Sequence, residues 1–227
     1  MRLIKRGLLG LGLAVGLSFS LFANAAGNAP AAALKSTDYR TLAQALPTDG
    51  GSKVDVTEFF WYNCPHCNVF DPSLEAWVKK QGDRINFKRV PVIFRDTFVP
   101  QQKLYYTLEA MGKADAMHSK IFHAIHVEHQ QLDSDKQIAD FIAKQKDIDA
   151  KQFTATYNSF GVATKVRRAK ELQADYKVDG VPLLAIDGRY ITSPAIVSAN
   201  MPNSSESELF KATLQVADAL VTKAAKK

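Results

Sequence analysis

The two cysteines of the chain, Cys64 and Cys67, are the feature that most constrains its fold. They enclose Pro65 and His66 at the point where an apolar, β-favouring stretch gives way to a helical pattern. Proline suits the first turn of a helix, where its missing N–H leaves no hydrogen bond unmade. The sequence therefore predicts that Cys64 lies at the N-terminus of a helix that directly follows a buried strand.

The apolar pattern along the rest of the chain predicts one sheet that is interrupted by helices. Residues 53–61 and 85–94 are predicted strands around the cysteine helix, which makes a βαβ unit with parallel strands. Residues 100–161 have helical periodicity, including a short helix that Phe153, Tyr157 and Phe160 line and that ends at Gly161. After residue 180 the pattern returns to β, and Asp187-Gly188 predicts a hairpin turn. The class is α/β.

The first residues of the chain are typical of an export signal. Arg2, Lys5 and Arg6 precede an uncharged run over residues 7–22, and Ala23 and Ala25 supply the small residues of a cleavage site. We expect cleavage after Ala25, and an uncleaved membrane anchor is the alternative. Removing three positive charges lowers the formal net charge from +6 to +3, and no basic block of the nucleic-acid-binding type is present.

A reactive pair explains the two cysteines better than a structural one. A disulfide between residues three apart closes too short a loop to restrict the unfolded chain much. The helix N-terminus favours an anionic sulfur at Cys64, and His66 adds a positive charge when protonated. Cys67, one turn further in, is expected to be less exposed. The alternatives are a structural zinc site, for which a second cysteine pair is missing, and an inert disulfide.

The sequence closely resembles the DsbA family of thioredoxin-fold periplasmic oxidases. The resemblance covers nearly all of the chain after the signal and is carried by motifs at residues 58–60, 64–67, 180–182 and 188–190, which read Glu-Phe-Phe, Cys-Pro-His-Cys, Gly-Val-Pro and Gly-Arg-Tyr. It implies a thioredoxin-like fold with an inserted all-helical domain. The predicted domains are a signal peptide (1–25), a discontinuous thioredoxin-like domain (26–95 and 162–227) and a helical insertion (96–161).

The resemblance also implies roles for individual residues. Cys64 matches the nucleophilic cysteine of the family, and Cys67 matches the resolving cysteine of the same disulfide. Pro65 and His66 match the two residues between them in the catalytic motif. Pro182 matches a cis-proline that faces the disulfide, and the backbone of Val181 would bind substrate. The alternative for Pro182 is a proline that starts a strand.

Glu58 matches an acidic residue beneath the active site that moves protons during exchange. A carboxylate in an apolar strand is costly to bury when it is charged, which agrees with a special role. The alternative is a glutamate at the sheet edge that reaches water.

The predicted activity is that of a dithiol oxidase, which donates its disulfide to unfolded exported proteins in the periplasm. A membrane oxidase of the DsbB type would restore the disulfide. We expect a monomer with no metal, no cofactor beyond the disulfide and no nucleic-acid partner. A disulfide isomerase or reductase of the same fold, and a periplasmic chaperone or binding module with incidental cysteines, are the alternatives.

Two further groups of side chains are expected to lie at the surface. His123, His126 and His129 recur every third residue and drift around a helix, so a partly exposed polar face is favoured over a metal site. The aromatic run over residues 59–62 is more typical of core than of a binding surface, and Trp61 and Tyr62, nearest the active site, are its expected surface pair.

Overall fold

The sheet is built on strand β2 (Val54–Phe60), which is buried over nearly its whole length. The computed structural model describes residues 34–226. β2 runs parallel to β3 (Ile85–Pro91), and helix α1 (Pro65–Gln81) connects the two strands. Both strands are slightly shorter than predicted. The predicted βαβ unit is confirmed.

The other edge of β2 pairs with strands from the C-terminal part of the chain. β4 (Leu183–Ile186) is antiparallel to β2, and β5 (Tyr190–Thr192) is antiparallel to β4. The short β1 (Arg40–Thr41), which the sequence did not predict, completes the order β1-β5-β4-β2-β3. Because early and late strands share one sheet, the predicted single interrupted sheet is confirmed.

The chain between β3 and β4 is helical. Its helices are α2 (Val99–Ala110), α3 (Ala114–His126), α4 (Asp135–Ile142), α5 (Ala150–Tyr157) and α6 (Phe160–Asp175). By their contacts the described residues form one compact unit. The predicted domain boundaries at 95/96 and 161/162 therefore stay a prediction.

The predicted helix end at Gly161 was wrong. The chain leaves α5 at Tyr157 and enters α6 at Phe160, because the Ser159 side chain accepts a backbone N–H and caps the new helix. Gly161 lies in the first turn of α6, and Phe160 is 81% exposed and does not line the core beside Phe153. The Ser159 cap therefore determines where the helix boundary lies, and Gly161 does not end a helix.

The C-terminal part of the chain closes the sheet with a tight hairpin. Asp187 and Gly188 have φ values of 54° and 63°, and the Arg189 N–H donates to the Ile186 carbonyl over 3.0 Å. Two helices follow, α7 (Pro194–Ser198) and α8 (Glu206–Ala224), and a capping box opens the second. Val56 and Ile186 on the sheet share a core cluster with Phe210 of α8.

The predicted signal peptide, residues 1–25, lies outside the described residues. Within residues 34–226, no helix combines the length and the apolar character that a membrane crossing requires.

Candidate active site

Cys64 occupies the N-cap of α1, and Pro65 is the first helical residue, as the sequence predicted. The Cys64 Sγ accepts the backbone N–H of Cys67 over 3.4 Å. Cys64 is 6% exposed and Cys67 is fully buried, and both are free thiols. The structure therefore describes the reduced dithiol, with one sulfur at the helix end and the other beneath the first turn.

The two thiols differ strongly in acidity. A hydrogen bond from the Cys67 thiol lowers the pKa of Cys64 to about 7 against the opposing effect of burial. The backbone N–H groups of Cys67 and His66 and the charge of His66 contribute further to this lowering. Burial is the main cause that raises the pKa of Cys67 well above its ordinary value. Near neutral pH, Cys64 is thus poised between thiol and thiolate, while Cys67 holds its proton.

Val181 and Pro182 lie against the N-terminal sulfur. The peptide bond between them is cis, as the family resemblance implies. The Cys64 thiol faces the Val181 carbonyl at 3.6 Å. Val181 is half-buried, whereas Pro182 is buried directly before β4. The backbone at Val181 therefore lies beside the reacting sulfur.

His66 points away from the core. Its side chain is 66% exposed, and Nδ1 is paired with Oε1 of Glu206 in the first turn of α8. The motif residue between the cysteines thus contacts a carboxylate that the sequence analysis did not single out.

Glu58 lies on β2, between β4 and β3, and is 1% exposed. It stands opposite Arg89 in the β2–β3 register, and Arg89 Nε donates to Glu58 Oε2 over 3.0 Å. Burial raises the pKa of Glu58 to about 7, and Arg89 opposes part of this rise while Asp71 adds to it. The alternative of a sheet-edge glutamate that reaches water is excluded by this position.

Arg89 is the centre of a buried charge cluster that the sequence analysis missed. Its Nη2 lies 3.6 Å from Asp71 Oδ1 and also pairs with Oε1 of Glu75, while Nη1 lies 3.7 Å from the exposed Asp115. The Arg89 side chain itself is only 5% exposed. The available signal was the presence of charged residues in two otherwise apolar segments, the strand β3 and the inner face of α1.

Tyr62 is buried, so the prediction that it faces the solvent was wrong. Its hydroxyl lies 3.1 Å from Nδ1 of His118, and its ring packs edge-on against Phe60 and Phe122. The Tyr62 carbonyl accepts a hydrogen bond from His126 Nε2 over 2.8 Å. Partners that come later in the chain thus draw this side chain into the core.

The residues on either side of Tyr62 are also held by the helical segment. Trp61 is only partly buried, and its ring packs against that of Phe98 at 4.4 Å between centroids. Asn63 accepts from Gln101 Nε2 over 2.8 Å and donates to Asp133 Oδ1 over 3.2 Å. The approach to Cys64, defined here as residues 61–63, is therefore fixed from outside the βαβ unit.

The three regularly spaced histidines do not share one environment. His123 is mainly exposed near Glu128, His126 binds the approach to Cys64, and His129 lies beyond the end of α3 with φ of 56°. Across residues 34–226, no group of three or more His, Cys, Asp or Glu side chains is arranged to hold a metal ion.

Comparison with known proteins agrees with this geometry. Residues 55–210 match the DSBA-like thioredoxin domain family. The thiol:disulfide interchange protein DsbA of Burkholderia cepacia is 43% identical over 199 residues, which cover 87% of this chain and 90% of that protein. The protein of the same name from Azotobacter vinelandii is 35% identical over 96% of this chain and 97% of its own length.

Solved structures show the same fold. The crystal structure of Pseudomonas aeruginosa DsbA matches with a TM-score of 0.74 and 34% identity, over 84% of this chain and 95% of that one. The family match, the relatives and the paired cysteines at a helix N-terminus agree with one another. The chain belongs to the family of DSBA-like thioredoxin domain proteins and is a thiol:disulfide oxidoreductase.

Proposed function

We propose that the chain introduces disulfide bonds into folding exported proteins by donating a Cys64–Cys67 disulfide through a mixed-disulfide intermediate. The observation that carries this proposal is the difference between the two sulfurs. Cys64 has a pKa of about 7 at the helix end, whereas Cys67 is fully buried and retains its proton. A thiol that is stable as an anion favours the reduced dithiol and makes the corresponding disulfide a strong oxidant.

The reaction consists of two exchanges. A substrate thiolate attacks Cys64 Sγ, a new S–S bond forms, and the electron pair of the broken bond passes to Cys67 Sγ. A second substrate thiolate then attacks the substrate sulfur of the mixed disulfide and displaces Cys64 as a thiolate. The substrate loses two electrons and gains a disulfide, and the two cysteines become the dithiol.

The displaced Cys67 sulfur needs a proton because its surroundings disfavour the anion. Glu58 is buried nearby and has a pKa of about 7, so a large part of it carries a proton under neutral conditions. We assign Glu58 as the proton donor to Cys67 in the first exchange. In the reverse direction the same carboxylate takes the proton back.

The neighbouring motif residues have supporting roles in this proposal. Pro65 starts the helix that presents the Cys64 sulfur, and His66 contributes positive charge at its exposed side. The backbone at Val181, before Pro182, hydrogen-bonds an extended substrate chain across the sulfur. Such backbone recognition suits many different sequences.

We further propose a periplasmic location after removal of residues 1–25, with reoxidation by a membrane partner of the DsbB type. The supporting observations are the charge and apolar pattern of the first residues and the family of the chain. Disulfide donation also requires an oxidising compartment.

A pair of matched variants tests the function. Cys67→Ser retains the Cys64 thiolate but cannot resolve, so it should accumulate a mixed disulfide with a disulfide-containing substrate protein. Cys64→Ser should form none and should fail to oxidise a reduced, unfolded substrate. A Cys64→Ser protein that still oxidises substrate would contradict the proposal.

Equilibration of the purified protein with glutathione buffers separates the proposal from its alternatives. An oxidase should have a midpoint well on the oxidising side of thioredoxin, whereas a reductase should lie at or below thioredoxin. A chaperone with incidental cysteines should keep full activity when both cysteines are changed to alanine.

A further inference from the structure

His118 is a buried histidine that the exchange reactions above do not use. It comes from α3 and is 2% exposed. Its ring packs edge-on against Phe60 and Phe122, with centroids 4.9 Å and 5.0 Å away. Aromatic rings surround the imidazole, so its polar interactions are limited to those of its two ring nitrogens.

Each ring nitrogen faces one polar partner. Nδ1 lies 3.1 Å from the Tyr62 hydroxyl, and Nε2 lies 3.4 Å from Oδ1 of Asp71. The 3.4 Å approach is a charge-pair distance and not a completed hydrogen bond: within residues 34–226, His118 Nε2, Asp71 Oδ1 and Glu58 Oε1 all lack a hydrogen-bond partner. A carboxylate oxygen can only accept, so the proton of a neutral ring belongs on Nε2, and Nδ1 accepts from the tyrosine. Burial, the largest cause, lowers the pKa of His118 and favours this neutral form.

Glu58 and Asp71 share a single buried guanidinium, that of Arg89. If both carboxyl groups were ionised, the interior would hold one uncompensated negative charge, which is costly. A proton on one carboxyl group removes this charge, and Glu58, with a pKa of about 7, carries one in a large part of the molecules near neutral pH. The donors around each oxygen decide where this proton resides.

We propose that His118 is a positioning residue that directs its Nε2–H to Asp71, holds that residue as the carboxylate, and so leaves the exchangeable proton of the cluster on Glu58. Without this donor, Asp71 on α1 would compete with Glu58 on β2 for the proton. The inference rests on the proposed role of Glu58 as proton donor to Cys67.

The proton balance of the cycle follows from this arrangement. When the S–S bond breaks, the proton passes from the Glu58 carboxyl to the Cys67 sulfur, and Glu58 becomes a carboxylate beside Arg89. A cleft of about 280 Å³ lined by Arg89, Tyr105 and Asp115 brings solvent to the other side of the guanidinium. A proton from water can restore Glu58 by this side while Asp71 keeps its charge.

Other ionisable groups face the cluster and enter any pH profile. They are Tyr62 before the helix, Glu75 on α1, Tyr105 on α2, Asp115 on α3 and the two cysteines. The test therefore follows the carboxyl group of Glu58 itself instead of the overall rate alone.

The experiment compares wild type, His118→Phe and His118→Gln by carbon-13 NMR of glutamate-labelled full-length chain across the pH range, with Glu58→Gln identifying the signal. In His118→Phe the donor is lost, and the midpoint of Glu58 should fall from about 7 by about one pH unit, because a protonated Asp71 no longer repels it. The pH profile of Cys67 release, when a substrate thiolate opens the Cys64–Cys67 disulfide, should shift equally. His118→Gln, which retains a neutral N–H donor, should keep the wild-type midpoint.

Two outcomes would overturn the inference: a wild-type midpoint in His118→Phe, or the same lowered midpoint in His118→Gln. His118→Leu serves as a second apolar variant if the phenylalanine does not fit, and near-ultraviolet circular dichroism checks the packing of each protein. The midpoints are measured without a substrate. A Cys67→Ser protein that forms no mixed disulfide would sink the proposed function and leave these midpoints to decide the role of His118.

Discussion

Glu58 should make the stability of the protein depend on pH in a specific direction. Its pKa is about 7 in the folded chain and 4.5 as the ordinary value, so between these values the folded state binds more protons than the unfolded state. The free energy of unfolding must then fall as pH rises through this window. Each pKa unit corresponds to about 1.4 kcal/mol, so the shift of about 2.5 units amounts to about 3 kcal/mol. Because the side chain is fully buried, solvent screening does not reduce this value much.

The perturbation that tests this reasoning is Glu58→Gln, which keeps the shape of the side chain and cannot ionise. Urea unfolding of the reduced wild type and the reduced variant would be measured at several pH values from below 4.5 to above 7. The wild type should lose about 3 kcal/mol relative to the variant across this range. The exposed change Glu171→Gln should leave the wild-type slope unaltered. Parallel curves for wild type and Glu58→Gln would refute the assignment of Glu58 as the titrating buried group.

Three other results are expected. The ultraviolet absorbance of the thiolate should titrate near pH 7 in the reduced protein and should be absent in Cys64→Ser, while Cys67 adds no step in this range. Because the pKa of Cys64 is lowered on folding, the free energy of unfolding of the reduced form should rise between about pH 7 and pH 9. Ser205→Ala removes the capping box of α8 and should cost about 1 kcal/mol of unfolding free energy by urea titration, with an unchanged midpoint in glutathione buffers. Gly188→Ala should cost more, roughly 2 kcal/mol or above, because its φ is 63° and the new Cβ would lie 2.2 Å from the Leu46 carbonyl oxygen; a melting temperature equal to wild type would contradict this.

The parts of the site that depend on local sequence could be predicted. Pro65 after a buried strand is enough to place Cys64 at a helix start, because proline at this position costs no hydrogen bond. A carboxylate within an apolar strand likewise marked Glu58 as unusual, and the structure buries it on β2. The cis bond before Pro182 is different, because only the family resemblance implied it.

The parts that depend on tertiary pairing could not be predicted. Arg89 meets Glu58 because of the β2–β3 register, and a shift of one residue would direct the arginine to the other face. His118 reaches Asp71 only because α3 packs beside α1. On α3 the histidine is one polar residue on a buried stripe, and nothing in the adjacent sequence distinguishes it from an exposed one. Tyr62 was misassigned for the same reason, since its partner is 56 residues away.

The anchoring of residues 61–63 has a consequence for the order in which the active site forms. Asn63, directly before the reacting cysteine, is held by Gln101 and Asp133, which are synthesised later than the cysteines. Until these later residues have been synthesised, the two hydrogen bonds to Asn63 cannot form. The segment directly before Cys64 is therefore fixed in place only after residues as far along the chain as Asp133 have been synthesised and have folded onto it.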